Sequence, residues 1–249
     1  MRGILPPLIP AILVITAMEL AVRQGFIPAY LVPAPSAVLA AMVESRAELG
    51  QAFLKTSAGA LLGFALSAFG GIAIAVLLSS SRSIQRALYP YAVFFQTVPI
   101  IAIAPLLVIW FGYGMKTVVV SAFVVSIFPV IANTLTGILS TDPNLRDLFQ
   151  LYGASQWVTL LKLRFPAALP QILTGLRVAS GLAVIGAIVG EFIGGEGLGS
   201  VVDVARTQQR VDKVFAAVLL ASALGLALFG LINLISAVTL RRWHASEQG

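Results

Sequence analysis

Hydrophobic residues along this chain fall in six long runs separated by polar connections. The runs occupy residues 4–22, 57–78, 88–111, 117–139, 171–193 and 214–240, each about 19–27 residues long. A helix needs about 20 residues to cross the roughly 30 Å hydrocarbon core of a bilayer. Because the backbone finds no water partner in lipid, these runs should be helical. The pattern predicts an all-α polytopic membrane protein with about six transmembrane helices.

The connections between the runs differ in character. Residues 24–51 contain a short amphipathic stretch for which Ser36 is a suitable N-cap. Residues 112–116 form a tight glycine-rich turn, and residues 194–213 begin glycine-rich and become mixed in charge. Residues 140–170 are the longest polar connection between runs, so a function outside the bilayer is best sought there.

Composition supports a membrane protein. The 249 residues are 59% hydrophobic and 10% charged, with a mean hydropathy of +0.97, whereas a soluble domain is about 45–50% apolar and about 25% charged. No charge block or Ser/Gly linker marks a second domain. We therefore expect one transmembrane domain over residues 1–249.

The net charge of +6 has two possible meanings. In a soluble protein it would favour nucleic-acid binding. Here basic residues flank the apolar runs, as expected when they set the orientation of membrane helices, so no nucleic-acid partner is predicted. Lys and Arg in the connections slightly favour both termini being cytoplasmic.

The connection over residues 140–170 has strong local sequence signals for helix starts and breaks. Asp142 can cap a helix whose first residue is Pro143. Apolar residues recur at helical spacing on either side of Gly153, at Leu148, Leu151 and Tyr152 and at Trp157, Leu160 and Leu161. We expect two short amphipathic helices broken at Gly153, whose backbone freedom permits a bend.

Two prolines follow the second short helix. Pro166 and Pro170 are expected to stop it before the fifth run begins. The apolar faces of both short helices need cover. The chain's own helices or the headgroup layer can supply it, and so can a groove on a partner subunit; the residue pattern leaves these alternatives open.

This connection resembles the cytoplasmic coupling loop of binding-protein-dependent ABC importer permeases. Their motif runs Glu-Ala-Ala, three residues, Gly, nine residues, Ile, any residue, Leu-Pro. Gly153 matches the glycine, Leu163 stands for the isoleucine, and Phe165 with Pro166 stands for Leu-Pro. Asp147 preserves only the acidic character of the first element.

The resemblance extends to the nitrate, sulfonate and taurine permeases over most of the chain. It is carried, in order and at the right spacing, by residues 31–39, 99–112, 169–178 and 190–199. It implies a type I ABC importer permease fold, a homodimer in the bilayer, two cytoplasmic ATP-binding cassette ATPase subunits, and a periplasmic or lipoprotein solute-binding protein. It also places residues 140–170 inside, which gives an inner-membrane protein with both termini cytoplasmic.

The resemblance further implies a role and a set of residues. The implied role is a translocation path for a small solute such as a sulfonate, taurine or nitrate, with a pyrimidine or thiamine precursor or a riboflavin-like heterocycle as the alternative. The implied ATPase-coupling residues are Asp147, Leu151, Gly153, Ala154, Ser155, Trp157, Leu163 and Pro166.

Enzyme chemistry is not expected of this chain. It lacks the phosphate-binding Gly-x-x-x-x-Gly-Lys-Ser/Thr loop, so ATP hydrolysis should belong to another subunit. The sequence has one histidine, His244, and no cysteine. We therefore predict no catalytic residue, no metal site and no cofactor. A membrane enzyme would need a catalytic set, and a single-component carrier or channel would transport without an ATPase.

Polar and ionisable residues within the runs are expensive in lipid, so each is a functional candidate. The candidates for the translocation path are Gln96, Pro99, Asn133, Arg177 and Glu191. Each has a structural alternative as well. Arg177 can snorkel to the interface, Glu191 can be structural near the outer surface, and the neutral groups can bond between helices.

Small residues recur at helix-packing spacing at Gly59, Gly63, Gly186, Gly190 and Gly194. Such residues allow two helix backbones to approach closely. The spacing is compatible with packing between helices of one chain and with packing across a dimer axis.

Overall fold

The computed structural model describes residues 5–241, which fold into helices joined by turns and by one longer connection, residues 24–34. The helices are α1 (Leu5–Arg23), α2 (Pro35–Glu44), α3 (Arg46–Ser79), α4 (Arg82–Thr97), α5 (Ile100–Phe111), α6 (Met115–Leu139), α7 (Pro143–Leu151), α8 (Gln156–Thr159), α9 (Phe165–Gly194), α10 (Leu198–Thr207) and α11 (Val211–Arg241). A π-helical turn, Leu160–Arg164, joins α8 to α9. Ile4, at the start of the first run, and His244 lie outside the described residues.

Among residues 5–241, four stretches of helix are long and apolar enough to cross a membrane. They are α3, α6, α11 and the continuous stretch Gln156–Gly194, and the bent pair of α4 and α5 would make a fifth span. The all-α fold is therefore confirmed, with four to five spans against the expected six. The first run is helical as α1, and its crossing of the membrane stays a prediction.

The third apolar run contains a sharp bend. A single helix over residues 88–111 is wrong, because α4 and α5 meet at 99°. Val98 has an extended backbone, with φ −73° and ψ 120°, since the ring of Pro99 disfavours helical geometry in the residue before it. The bend divides the run into a short amphipathic helix and a strongly apolar one.

Helix α6 lies between α3 and α9 and forms the centre of the fold. Gly63 of α3 faces Ala122 of α6, and a Cβ at Gly186 of α9 would lie 2.7 Å from the carbonyl oxygen of Ser121. Around this contact lies a buried cluster of Ala60, Val118, Ala122, Val184, Ala187, Leu224 and Leu228. Packing within one chain is thus confirmed for the small residues, with Gly194 meeting Val108 of α5.

Helix α2 is capped by another helix rather than by its own sequence. Ser36 is not the N-cap, because Pro35 already begins the helix and Ala34 holds the cap position. Instead, the backbone N–H and the hydroxyl of Ser36 donate to the carboxylate of Glu19 on α1, at 2.9 and 2.6 Å. Satisfying these donors ties α1 to α2.

Candidate functional site

The connection between α6 and α9, here called the coupling segment (residues 140–164), begins as the sequence predicts. Asp142 accepts a hydrogen bond from the N–H of Asn144 at 2.8 Å, and Pro143 is the first helical residue of α7. Gly153 lies between α7 and α8 with φ +68°. That left-handed geometry favours glycine and confirms the predicted break between two short helices.

The second short helix does not end where the prolines predict. Instead, α8 passes through the π-helical turn directly into α9, so a stop at Pro166 and Pro170 is wrong. The N–H of Phe165 donates to the carbonyl of Leu160, five residues earlier. This wider turn places Pro166 in the first turn of α9, where a missing N–H costs little, and Pro170 is accommodated within α9.

The π-helical turn is anchored to the membrane helices. Leu160 is buried in a cluster with Ile138, Ala168 and Ile172. The Nε of Arg164 donates to the carbonyl of Ile138, near the end of α6, at 3.3 Å. A movement of the coupling segment would therefore be passed to both α6 and α9.

The coupling segment presents an uncovered apolar face. The exposed fractions are 84% for Leu151 and Tyr152, 68% for Trp157 and 63% for Leu161. Cover by the chain's own helices is therefore wrong for these side chains, as far as residues 5–241 show. Large apolar side chains exposed together mark a surface that meets a partner or the headgroup layer.

The predicted coupling residues all lie in this segment or at its junction with α9. Asp147, Leu151, Gly153, Ser155 and Trp157 are exposed. The remaining three are half-buried, namely Ala154, Leu163 and Pro166. Ser155 also caps α8, because its hydroxyl accepts from the N–H of Val158 at 3.3 Å. A coupling role for these residues stays a prediction.

The candidate path residues are not brought together in one chain. Gln96 and Pro99 are exposed near the bend between α4 and α5. Asn133 is half-buried, and its side-chain amide donates to the carbonyl of Pro129 in its own helix at 2.8 Å. The Nη2 of Arg177 donates to the hydroxyl of Ser236 on α11 at 3.3 Å. Its Nε is buried without a partner among the described residues.

Glu191, the fifth candidate, belongs to α9 and is 2% exposed. Its carboxylate lies at the N-terminus of α10. Its Oε2 accepts from the N–H of Gly199 at 2.9 Å and from the hydroxyl of Thr56 at 3.0 Å. The Thr56 hydroxyl in turn accepts from the N–H of Leu198 at 2.9 Å. Side chains from α3 and α9 thus cap the first turn of α10, an arrangement we call the outer clasp (Thr56, Glu191, Leu198 and Gly199).

Three glycines make room for Glu191. A Cβ at Gly195 would lie 2.9 Å from the Cα of Glu191, one at Gly199 would lie 2.9 Å from its Cβ, and one at Gly197 would strike its Oε1. The glycine-rich stretch therefore packs closely around Glu191. Oε1 itself is buried without a partner among the described residues.

Ion pairs surround the outer clasp. They join Lys55 to Glu196, Lys213 to Glu48 at 2.7 Å, and Arg210 to Glu44 at 3.1 Å. The hydrogen bond and charge of Lys55 lower the pKa of the Glu196 carboxyl. Sequence reasoning missed these pairs and missed Thr56, because the partners lie far apart in the chain and no local pattern connects them.

Comparison with known families identifies the chain. Residues 67–239 match the family described as "Binding-protein-dependent transport system inner membrane component". The chain belongs to this family. It is a membrane-spanning permease subunit of an ABC importer, as the resemblance of residues 140–170 implied.

Individual relatives agree with this assignment. The permease is 38% identical to a probable ABC transporter permease of Haemophilus influenzae, over 91% of this chain and 93% of the relative. It is 36% identical to a formylaminopyrimidine transport permease of Halalkalibacterium halodurans, over 85% of each chain. It is 31% identical to a putative aliphatic sulfonates transport permease of Bacillus subtilis, over 76% of this chain and 69% of the relative.

A solved structure shares the fold. The inward-facing MetNI methionine ABC transporter superposes with a TM-score of 0.70 at 16% identity, covering 78% of this chain and 97% of that one. At that identity the likeness shows architecture only. The architecture is that of the type I ABC importer permeases.

Proposed function

We propose that two copies of this permease enclose a path through the inner membrane for a small solute that an external binding protein delivers. ATP hydrolysis occurs on two separate cassette subunits, and each of them holds one coupling segment. The observation that carries the proposal is the exposed apolar face of Leu151, Tyr152 and Trp157. These side chains would dock in a groove of the ATPase, as amphipathic helices do elsewhere.

Helix α9 connects the coupling segment, where the ATPase would dock, to the opposite end of the bundle. The stretch Gln156–Gly194 is one continuous candidate span, so its 30-residue part α9 is about 45 Å long at 1.5 Å per residue. One end joins the coupling segment through the π-helical turn, and the other carries Glu191 of the outer clasp. When the ATPase subunits close, α9 would move with them and bias the permease between inward-open and outward-open states.

We also propose an orientation that this arrangement supports. The coupling segment faces the cytoplasm, together with both termini, and the outer clasp faces the binding protein. Gln96 and Pro99 are exposed near the α4–α5 bend, which supports a position on the path between the two copies. Asn133, Arg177 and Glu191 make their contacts within the chain, and we place them around the path rather than on its surface.

For the substrate we favour a small heterocycle related to formylaminopyrimidine, since that relative matches with higher identity and coverage than the sulfonate relative. A sulfonate-like anion is the second candidate. It is supported by the sulfonate relative.

Affinity purification of the tagged permease from mild detergent tests the assembly. Mass spectrometry of the co-purifying chains should recover an ATPase with a phosphate-binding loop and an external solute-binding protein. The recovered binding protein can then be screened for thermal stabilisation by formylaminopyrimidine and by taurine. An ATPase-free preparation in several detergents, combined with transport by the chain alone in vesicles, would establish a single-component carrier instead.

A variant pair locates the ATPase contact. Leu151→Gln with Trp157→Gln should abolish ATPase recovery while leaving the permease in the membrane. The matched control is Phe26→Gln with Tyr30→Gln, which removes two large apolar side chains of similar exposure from the connection between α1 and α2. Equal ATPase recovery by both double variants would disprove docking on the coupling segment.

A further inference from the structure

Helix α4 carries a basic stripe made of Arg82, Gln85, Arg86 and Tyr89. These residues are spaced at i, i+3, i+4 and i+7, so they share one helix face. Together with Pro90 they line an open cavity of about 480 Å³. Both arginines are exposed, while Gln85 and Tyr89 are half-buried.

Within residues 5–241, no acidic side chain balances the charges of the basic stripe. Neither Arg82 nor Arg86 forms a salt bridge with an acid among residues 5–241. Two like charges at i and i+4 repel each other. Arg82 is also the first residue of α4, where the helix dipole disfavours a cation. An anion bound between the two guanidinium groups would relieve both conflicts.

The basic stripe lies at the edge of the bilayer. The apolar span α3 ends at Ser79, only three residues before Arg82. Ile84 and Tyr89 pack against a buried cluster that includes Leu78 of α3 and Leu135 of α6. Both of these leucines lie in the last turns of their helices, so the stripe sits at the same end of the bundle as the coupling segment.

The other side of α4 is apolar. Leu88, Tyr91, Phe94 and Phe95 are exposed there. A helix with basic residues on one face and large apolar residues on the other is typical of the lipid headgroup boundary. The anion available at that depth is the phosphate of a phospholipid.

We propose that Arg82 and Arg86 bind the phosphate of an anionic phospholipid in the leaflet next to the coupling segment. Each guanidinium can donate two parallel N–H bonds to phosphate oxygens. Gln85 and Tyr89 supply further donors to the headgroup. The site holds α4 at the interface and so fixes the bend that leads into α5. This inference depends on the membrane setting and not on the transported substrate.

Lipid retention tests the site. The full-length permease, with the chains that co-purify with it, is placed in nanodiscs of phosphatidylcholine with a small fraction of phosphatidylglycerol, and native mass spectrometry counts the lipids retained. Each arginine should contribute about fivefold to retention, so Arg82→Gln with Arg86→Gln should weaken phosphatidylglycerol binding by about 25-fold. The charge-matched control is Arg46→Gln with Lys116→Gln, two exposed cations on other helices.

The outcomes separate the alternatives. A phosphate site is supported if lipid retention is lost in the Gln pair and unchanged in the control. Arg82→Lys with Arg86→Lys should then show intermediate retention. Equal retention by the Gln pair and the unmodified permease overturns the proposal, and so does an equal loss in the control. If inorganic phosphate added to pure phosphatidylcholine discs occupies the site as tightly as the lipid does, the ligand is a soluble anion and the lipid assignment is wrong.

Discussion

The hydroxyl of Thr56 and the carboxylate of Glu191 meet at 3.0 Å, although 135 residues separate them in the chain. Together they cap α10, since Thr56 accepts from Leu198 and Glu191 accepts from Gly199. A buried carboxylate is costly unless hydrogen bonds offset its desolvation. Here those bonds join α3, α9 and α10 at one point. Losing one of them should therefore destabilise the packing of all three helices.

Replacing Thr56 tests that linkage. Thr56→Val keeps the shape of the side chain but leaves the N–H of Leu198 and one oxygen of Glu191 without this partner. We expect a loss of about 1–3 kcal/mol in stability and faster hydrogen exchange over residues 198–207. The measurements are thermal unfolding in detergent and hydrogen–deuterium exchange.

Thr56→Ser provides the matched control for the outer clasp, because it keeps the hydroxyl and removes only a methyl group. Its exchange over residues 198–207 should stay close to that of the unmodified permease. If Val and Ser behave alike, the hydroxyl does not hold α10 and the capping interpretation fails.

Substitutions at Gly153 can show whether the backbone conformation of this residue matters, because there is free space around it for a side chain. No atom lies within 4 Å of a Cβ built there, yet its φ is +68°. Asn tolerates this left-handed region, whereas a β-branched residue does not. Gly153→Asn should therefore keep transport coupled to ATP hydrolysis. Gly153→Val should lower the transport-to-hydrolysis ratio about fivefold or more, since the strain is about 1–2 kcal/mol.

The measurement for Gly153 is solute uptake and ATPase activity in the same proteoliposomes. Normal membrane insertion of both variants serves as the control. Equal coupling in the Asn and Val variants would mean that the bend between α7 and α8 is not needed for coupling.

The π-helical turn sets the direction in which α8 faces. Deleting Leu161 should convert the turn to ordinary α-helix and rotate α8 by about 100° relative to α9. Trp157 would then point away from its docking direction, so we expect transport and ATPase recovery to fall together. Leu161→Ala keeps the register and removes one exposed side chain. Transport by the deletion variant at the level of Leu161→Ala would show that the register is unimportant.

Much of this fold follows from local signals in the sequence. The spans are visible because lipid demands about 20 apolar residues in a row. The start of α7 is visible because Asp142 and Pro143 act on the backbone beside them. The break at Gly153 is equally local, since only the backbone conformation of that residue is involved.

The missed features depend on the surroundings of each residue. The chain bends at Pro99, yet Pro105 and Pro129 lie inside continuous helices, so the residue type alone cannot predict a bend. Pro166 fails to stop a helix because a π-helical turn precedes it. The outer clasp was missed because a pairing between residues as distant as Thr56 and Glu191 leaves no periodic signal in one sequence.

Two glycines of α9 differ in their surroundings, so replacing each by alanine distinguishes the effect on helix packing from the effect on helix propensity. A Cβ at Gly186 would lie 2.7 Å from the carbonyl oxygen of Ser121 and 2.8 Å from the Cα of Ala122, whereas a Cβ at Gly181 would meet no atom within 4 Å. Gly186→Ala should force α9 away from α6 and cost about 1–3 kcal/mol. Gly181→Ala should instead stabilise the helix by about 0.5–1 kcal/mol, because alanine loses less backbone entropy. Melting temperatures in one detergent should therefore move in opposite directions. A melting temperature of Gly186→Ala that equals or exceeds that of the unmodified permease would mean that the α6–α9 contact does not require glycine.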